Sequence, residues 1–299
     1  MDFLTRPFRS LLYMPGSKER ALEKATHLPC DGIIFDLEDA VAPDDKANAR
    51  DLVCAALGRN DYGQRSKIIR INGFDTDWAK DDLAAILATS PEAILLPKVN
   101  SADDIRHLAE ALDSHPKCAR TSIWAMMETP LGVLNAATIA GASRRLKGMV
   151  IGTNDLVKDL GARHTEDRAP LLSALSLCLL AARAHGLICV DGVYNTYKDN
   201  AGLRLYCQQG RDMGFDGKTL IHPAQIDIAN EVFAPSDAEL TLARRQIEAF
   251  RQAQTEGLGI AVLDGAIIEN LHIQTARRLL ARDAAIRSMS STTDGPLQA

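Results

Sequence analysis

Two acidic residues follow apolar runs in the middle of the chain, and their positions indicate a site that binds a cation. The run at 123–127 leads into Glu128 and is stopped by Pro130, and the run that begins at Gly148 ends in Asp155. A carboxylate at the end of a buried strand is costly unless it has a partner there. Two such acids on successive strands can share Mg²⁺, which prefers oxygen ligands and commonly takes only one or two protein carboxylates. The other interpretation is that each acid caps the helix that follows it.

Further charged residues stand at the ends of other apolar runs. Arg70 ends one of them, where a guanidinium can bind a carboxylate through two parallel N–H groups or stabilise a developing oxyanion. The alternative for this arginine is a structural ion pair with Asp36, Glu38 or Asp39. Strand alternation predicts that the first two of these acids share one face and that the third points the other way. We expect Glu38 to hold Arg70 or a water at the metal, and Lys98 to contact the substrate, with a solvated lysine as the alternative.

The elements that position these residues alternate between short strands and amphipathic helices. Strands separated by helices imply parallel pairing, and eight of them predict an α/β fold that closes into a (β/α)8 barrel, or TIM barrel. An open doubly wound sheet is the competing fold. In a TIM barrel the active site lies at the carboxyl ends of the strands, which is where the charged residues above fall. The predicted strands are 9–14, 32–35, 67–72, 93–96, 123–128, 148–155, 187–190 and 217–221.

The C-terminal part of the chain is surplus to eight β/α units. We therefore assign residues 1–235 to the barrel domain and residues 236–287 to a C-terminal helical segment that serves as a lid, an oligomerisation arm or both. Ser236 and Glu239 have the spacing of a capping box at the start of its first helix. Residues 288–299, rich in small polar residues, are predicted to be a disordered tail.

Composition excludes several classes of protein. The chain has 299 residues, of which 46% are apolar and 24% are charged, as in ordinary globular proteins. A net charge of −5 argues against a nucleic-acid surface. No apolar run reaches the roughly 20 residues that a membrane span needs, and charged residues interrupt the N-terminal region, so neither a membrane anchor nor a signal peptide is predicted. The six cysteines form no CxxC pair, which predicts reduced thiols in a cytoplasmic enzyme.

Seven segments of the chain carry a further signal. They are 10–16, 35–41, 70–72, 96–99, 127–129, 152–156 and 217–223. Together they resemble the citrate lyase β-subunit-like proteins, which form the acyl-CoA lyase branch of the HpcH/HpaI aldolase superfamily, and the likeness runs from residue 9 to residue 283. The resemblance implies a TIM barrel in which Glu128 and Asp155 hold Mg²⁺ and in which Arg70 and Glu128 contact the substrate. It also implies assembly as a homotrimer or a hexamer.

In that family the C-terminal segment covers the site of a neighbouring subunit and carries an acid in a Met-Ile-Asp-x-Pro-His type motif. The counterpart here is 265–272, where Glu269 replaces the aspartate and Leu271 replaces the proline. Glu269 is therefore the first candidate for the base. Its extra methylene moves the carboxylate by about a bond length, and a displacement of about 1 Å can lower a rate on the order of 10²-fold.

The predicted function is Mg²⁺-dependent cleavage of a carbon–carbon bond in a carboxylated 3-hydroxyacyl-CoA of the malyl-, citramalyl- or citryl-CoA type. The products would be acetyl-CoA and a 2-keto acid, and some family members also hydrolyse the thioester. The predicted catalytic residues are Arg70, Glu38 and Glu269. The predicted substrate-binding residues are Arg70, Glu128 and Lys98. Two alternatives are an aldolase that acts on free 4-hydroxy-2-keto acids and a carrier-dependent citrate lyase β-type subunit.

Overall fold

Eight parallel strands form a closed barrel in chain order, in which the last strand pairs with the first, in a computed structural model that describes residues 6–291. The predicted TIM barrel is therefore confirmed, and the open sheet is excluded. The strands are β1 (Ser10–Pro15), β2 (Gly32–Asp36), β3 (Ser66–Arg70), β4 (Ala93–Leu96), β5 (Ser122–Met127), β6 (Leu146–Ile151), β7 (Ile188–Asp191) and β8 (Gly217–Leu220).

Helices separate the successive strands and follow the last one. Their inward faces are apolar at helical spacing, as in the helix of residues 102–113, where Ile105, Leu108 and Leu112 are buried. The helices of the barrel unit are α1 (Glu19–Lys24), α2 (Lys46–Arg59), α3 (Ala79–Thr89), α4 (Ala102–Asp113), α5 (Pro130–Leu134), α6 (Ala136–Ala140), α7 (Thr153–Asp159), α8 (Leu172–Ala184), α9 (Asn200–Met213) and α10 (Ile226–Phe233).

The strands are apolar because both of their faces are buried, as in other parallel sheets that helices cover. Every residue of β2 is buried. In β6 the packing is tight enough to require glycine at position 148. A Cβ at Gly148 would lie 2.5 Å from ring atoms of Trp124, which in turn packs on Phe8 with 5.2 Å between ring centroids. Such a barrel leaves most room for charged side chains at the ends of its strands.

The chain divides into two compact units, the barrel unit of residues 8–233 and a second unit that contains residues 234–291. The division falls two residues before the predicted domain boundary. The second unit has its own small core, and Ser236 and Glu239 form the predicted capping box at its first helix. Its elements are α11 (Asp237–Thr255), the antiparallel strands β9 (Ala261–Leu263) and β10 (Ala266–Ile268), and α12 (Asn270–Ser291).

The predictions for the C-terminal tail and for the cysteines can be compared with the structure. Helix α12 continues through residues 288–291, the first part of the predicted tail, where the ion pair between Arg287 and Asp283 supports its last turns. Residues 292–299 of that tail lie outside the described residues. All six cysteines are free, and every one except Cys54 is buried. Within residues 6–291, no helix has the length and apolar character that crossing a membrane requires.

Candidate active site

A cavity of about 280 Å³ opens at the carboxyl ends of the strands, where a TIM barrel carries its active site. Its lining includes Tyr13 of β1, Arg70 of β3 and Met126 of β5. A second cavity of about 220 Å³ has Lys98 in its wall, and Asp155 lines both cavities. The charged residues that the sequence singled out in the barrel unit therefore come together at one mouth.

Glu128 directly follows β5 and is completely buried. Its Oε1 accepts a 2.8 Å hydrogen bond from the backbone N–H of Lys98. Its Oε2 is buried and has no hydrogen-bond partner among the described residues. Burial raises the pKa of Glu128 to about 8, and the negative charge of Glu38 contributes to the rise. A buried carboxylate oxygen without a partner is an acceptor that a bound cation would satisfy.

Asp155 lies in the first turn of α7 rather than at the end of β6, which stops at Ile151. Its negative charge contributes to the raised pKa of Glu128, after burial and the charge of Glu38. Among residues 6–291, no three His, Cys, Asp or Glu side chains form a set that could hold a metal. Mg²⁺ commonly takes one or two protein carboxylates and keeps several waters, so the pair of Glu128 and Asp155 fits this ion.

The alternative interpretation of the two acids was that each caps a helix. Thr129 is the cap of α5, because its hydroxyl accepts a 3.0 Å hydrogen bond from the N–H of Gly132. Gly152 occupies the cap position of α7, and no side chain accepts a bond there. Neither Glu128 nor Asp155 is therefore a helix cap.

Arg70 ends β3 directly opposite Asp36, its register partner on β2. Its Nε and Nη2 each donate a 2.7 Å hydrogen bond to one carboxylate oxygen of Asp36. Its Nη1 lies 2.9 Å from Oε2 of Glu38, in an ion pair that lacks hydrogen-bond geometry. The structural ion pair is thus formed. The two parallel N–H groups that could have bound a substrate carboxylate already bind Asp36. Among the contacts of the described residues, those of Nη1 are the weakest hydrogen bonds of the guanidinium, so this is the end that can approach a ligand.

Asp36, the last residue of β2, and the acids Glu38 and Asp39 after it do not follow strand alternation. Asp39 also approaches Arg70, at 3.4 Å from Nη1, so the prediction that it points away is wrong. The reason is that the strand ends at Asp36, whose carboxylate accepts hydrogen bonds from the N–H groups of Glu38 and Ala40 and so bends the chain. Burial alone would raise the pKa of Asp36, but the charge and hydrogen bonds of Arg70 outweigh it and lower the pKa.

Glu38 connects Arg70 to Lys98, as its predicted role of holding Arg70 requires. The Nζ of Lys98 lies 3.1 Å from Oε1 of Glu38. Burial raises the pKa of Glu38 although both cations oppose the rise. The pKa of Lys98 is also raised, because attraction to Glu38 outweighs its own desolvation. Lys98 is therefore charged at the wall of the second cavity, and its contact with a substrate stays a prediction.

Two residues of the site were missed by the sequence analysis. The Nζ of Lys46 donates hydrogen bonds to the carbonyls of Leu37 and Glu38 at 2.9 and 2.8 Å and to Oδ1 of Asn72 at 2.8 Å, which fixes the acidic loop. A lysine that begins a helix gives no local sign of such a role. Tyr13 lines the cavity. Its position in an otherwise apolar strand, with a polar tip, could have indicated it.

Glu269 belongs to the second unit and immediately precedes α12. Its side chain is exposed, and its backbone N–H donates a 3.0 Å hydrogen bond to Nδ1 of His272. Its role as a base stays a prediction.

Known proteins with similar sequences place these observations in a family. Residues 9–223 match the family HpcH/HpaI aldolase/citrate lyase. The chain is 59% identical to a (3S)-malyl-CoA thioesterase of Cereibacter sphaeroides, over 98% of this chain and 100% of that protein. It is 36% identical to the citrate lyase subunit beta of Escherichia coli, over 93% of this chain and 94% of that protein.

Solved structures agree with this assignment. Protein CitE from Mycobacterium tuberculosis, in complex with magnesium, acetoacetate and coenzyme A, matches with a TM-score of 0.77 and 28% identity, over 94% of this chain and 99% of that chain. The citrate lyase beta subunit complexed with oxaloacetate and magnesium from M. tuberculosis matches with a TM-score of 0.68 and 30% identity, over 78% of this chain and 99% of that chain. The resemblance carried by the seven sequence segments is confirmed, and the chain belongs to the HpcH/HpaI aldolase/citrate lyase family.

Proposed function

We propose that this chain is a Mg²⁺-dependent enzyme that hydrolyses the thioester of a carboxylated 3-hydroxyacyl-CoA of the malyl-CoA type. The observation that carries the proposal is the 59% identity, over 98% of the chain, to a (3S)-malyl-CoA thioesterase. The similar CitE structure that contains magnesium and coenzyme A supports the same class of ligand. The barrel mouth supports it too, because it offers a buried carboxylate oxygen that has no partner among residues 6–291, together with the positively charged Arg70 and Lys98.

Five charged residues at the mouth have roles in this proposal. Glu128 and Asp155 would hold Mg²⁺, which acts as a Lewis acid on substrate oxygens when it is bound. The Nη1 end of Arg70 and the ammonium of Lys98 would bind the negatively charged oxygens of the acyl part. Glu38 would keep the side chains of Arg70 and Lys98 in place, since it pairs with each of them.

Hydrolysis and cleavage break different bonds of the same substrate. In hydrolysis, a water oxygen attacks the thioester carbonyl, the C–S bond breaks, and the proton of the water passes through a base to the departing sulfur, which gives malate and CoA. In cleavage, a base takes the hydroxyl proton, the C2–C3 bond breaks, and C2 gains a proton, which gives glyoxylate and acetyl-CoA. Glu269, with its longer side chain, is the proposed base. A shift of about 1 Å can lower a rate on the order of 10²-fold, so this substitution favours a reaction other than cleavage.

Carbon–carbon cleavage is the second candidate function. The 36% identity to the citrate lyase subunit beta of E. coli supports it. Cleavage would use the same residues at the mouth, and the two reactions differ in where the base stands relative to the substrate.

The products distinguish these functions. Malyl-CoA is incubated with the protein and Mg²⁺, and free thiol, malate, acetyl-CoA and glyoxylate are quantified. We expect thiol and malate in equal amounts, and no turnover by Glu128→Ala. Acetyl-CoA with glyoxylate would instead identify a lyase. Turnover of free 4-hydroxy-2-keto acids alone would identify an aldolase, and inactivity towards all free CoA esters would favour a carrier-dependent subunit.

We also propose that the protein is a homotrimer or hexamer in which Glu269 serves the site of a neighbouring subunit. In the test, the variants Glu128→Ala and Glu269→Gln, each expected to be inactive alone, are dissociated, mixed and allowed to reassemble. If Glu269 acts on a neighbour, mixed oligomers contain sites with both intact residues and regain part of the activity. If it acts within its own chain, the mixture stays inactive. Glu256→Gln, which changes another exposed glutamate of the second unit, is the control and should be active alone.

A further inference from the structure

Tyr13 lies in the wall of the barrel mouth, next to the arginine that the proposed function uses. It belongs to β1, is half-buried and lines the 280 Å³ cavity. The guanidinium carbon of Arg70 lies 4.8 Å from the centroid of the Tyr13 ring, in a cation–π contact. The ring therefore supports Arg70 from one side, while the hydroxyl group has a different environment.

The hydroxyl of Tyr13 has a weak partner. It donates to the thioether sulfur of Met126 at 3.9 Å, and thioether sulfur is a poor acceptor. The Nη1 of Arg70 approaches the same sulfur at 3.7 Å. Two donors, an O–H and a charged N–H, thus converge on one atom in the wall of the cavity. A ligand oxygen in the cavity beside this sulfur would be a much better acceptor for both donors.

The carboxylates around Arg70 weaken the contact that its guanidinium alone can make with an anion. Two N–H groups of Arg70 are bound by Asp36, and its Nη1 also faces Glu38, so neighbouring carboxylates compensate the positive charge of the guanidinium. An anionic ligand gains less from such an arginine than from a free one. Burial raises the pKa of Tyr13 above its ordinary value of 10 although Arg70 opposes the rise, and the phenol therefore keeps its proton at neutral pH. Its O–H can be donated without adding charge.

We propose that Tyr13 is a catalytic residue whose hydroxyl, together with Nη1 of Arg70, donates a hydrogen bond to a negatively charged oxygen of the substrate's acyl part. This oxygen lies on the cavity side of the Met126 sulfur. The inference rests on the proposed function and extends it, because it adds an uncharged donor that completes the anion contact of Arg70.

The test compares Tyr13→Phe with wild type in the full-length, Mg²⁺-loaded protein with malyl-CoA as substrate. Phenylalanine keeps the ring against Arg70 and removes only the hydroxyl. We expect kcat/KM to fall about 10- to 100-fold, as on removal of one donor to a charged oxygen, with the melting temperature unchanged. Tyr62→Phe is the matched control, because the buried Tyr62 hydroxyl donates to the carbonyl of Leu22, away from the mouth. This control should keep wild-type kcat/KM.

A binding measurement separates failure of this inference from failure of the proposed function. Calorimetry with malate and Mg²⁺ requires no turnover, and we expect Tyr13→Phe to weaken malate binding at least fivefold if the oxygen is the carboxylate of the ground state. A fall in kcat with unchanged malate affinity would assign the donor to an oxygen whose charge develops during the reaction. Wild-type kcat/KM and wild-type malate affinity in Tyr13→Phe would overturn the inference. An inactive wild type whose malate binding still depends on Tyr13 would refute the proposed reaction alone, and a wild type that neither turns over malyl-CoA nor binds malate would refute both.

Discussion

Replacing Glu128 by glutamine should stabilise the metal-free protein at alkaline pH. The side chain is completely buried, and its pKa is about 8 compared with an ordinary value of 4.5. In the unfolded chain the carboxyl loses its proton near its ordinary pKa, whereas in the folded protein it keeps the proton until about pH 8. The unfolded state therefore binds fewer protons between these values, and stability falls as the pH rises through this window. At about 1.36 kcal/mol for each pKa unit, the loss is roughly 2 kcal/mol at pH 6 and roughly 5 kcal/mol above pH 8.

Glutamine removes this pH-dependent cost because it cannot ionise. Its carbonyl can still accept the hydrogen bond from the N–H of Lys98 that Oε1 accepts now. Its amide nitrogen would take the place of Oε2, which has no partner in the described structure, and a buried donor without a partner costs about 1–3 kcal/mol at every pH. The variant and the wild type should therefore be similar in stability near pH 6, and the variant should be more stable by roughly 2–4 kcal/mol above pH 8.

The assay is urea unfolding followed by circular dichroism between pH 6 and pH 9 in the presence of a chelator. The difference between the two proteins isolates Glu128 from all other titrating groups. Adding Mg²⁺ should stabilise only the wild type, and its affinity for Mg²⁺ should increase with pH up to about 8, because the ligand must lose its proton. A stability difference that is the same at pH 6 and pH 9 would refute the buried-carboxyl argument. Equal stabilisation of both proteins by Mg²⁺ would refute the metal assignment.

Two further substitutions test a close contact with Glu128 and a buried cluster of ion pairs. Gly152→Ala should lower Mg²⁺ affinity and reduce turnover on the order of 10²-fold, since a Cβ there would overlap Cβ and Oε2 of Glu128; unchanged affinity in a Mg²⁺ titration would contradict this. Asp191→Asn should lower the free energy of unfolding by about 3–5 kcal/mol, because it leaves Arg168 and Lys218 buried without the carboxylate that pairs with both, at 2.6 and 3.0 Å. This loss should shrink as the pH rises, since burial lowers the pKa of Lys218 and its neutral form avoids the unpaired charge; denaturant unfolding at two pH values would show whether it does.

Gly58→Ala is the control for the glycine substitution. A Cβ at Gly58, in α2, would meet open space, so this variant should keep wild-type Mg²⁺ affinity and turnover. Reduced Mg²⁺ affinity in both glycine variants would mean that the effect at Gly152 does not arise from contact with Glu128.

The sequence by itself determined the fold and the end of the barrel that carries the site. Strands that are buried on both faces must be apolar. They therefore appear as short apolar runs, each followed by a charged residue or by the first residue of a helix. The predicted run 93–96 coincides with β4, and the run 32–35 is one residue shorter than β2. The capping box of Ser236 and Glu239 was also visible, because it depends on two residues of one turn. These features are local, and local patterns are sufficient to predict them.

The partners of the site residues were decided by the tertiary structure. Arg70 was predicted at the site, but its two-pronged contact with Asp36 follows from the register of β2 against β3, which the closed barrel fixes. The convergence of Tyr13 and Arg70 on the sulfur of Met126 likewise requires strands that are distant in sequence. That Oε2 of Glu128 has no partner in the described part of the chain depends on which groups surround it in three dimensions. Residue type and spacing predict which element forms, whereas the pairing of polar groups depends on strand register and on burial, which arise only when the barrel closes.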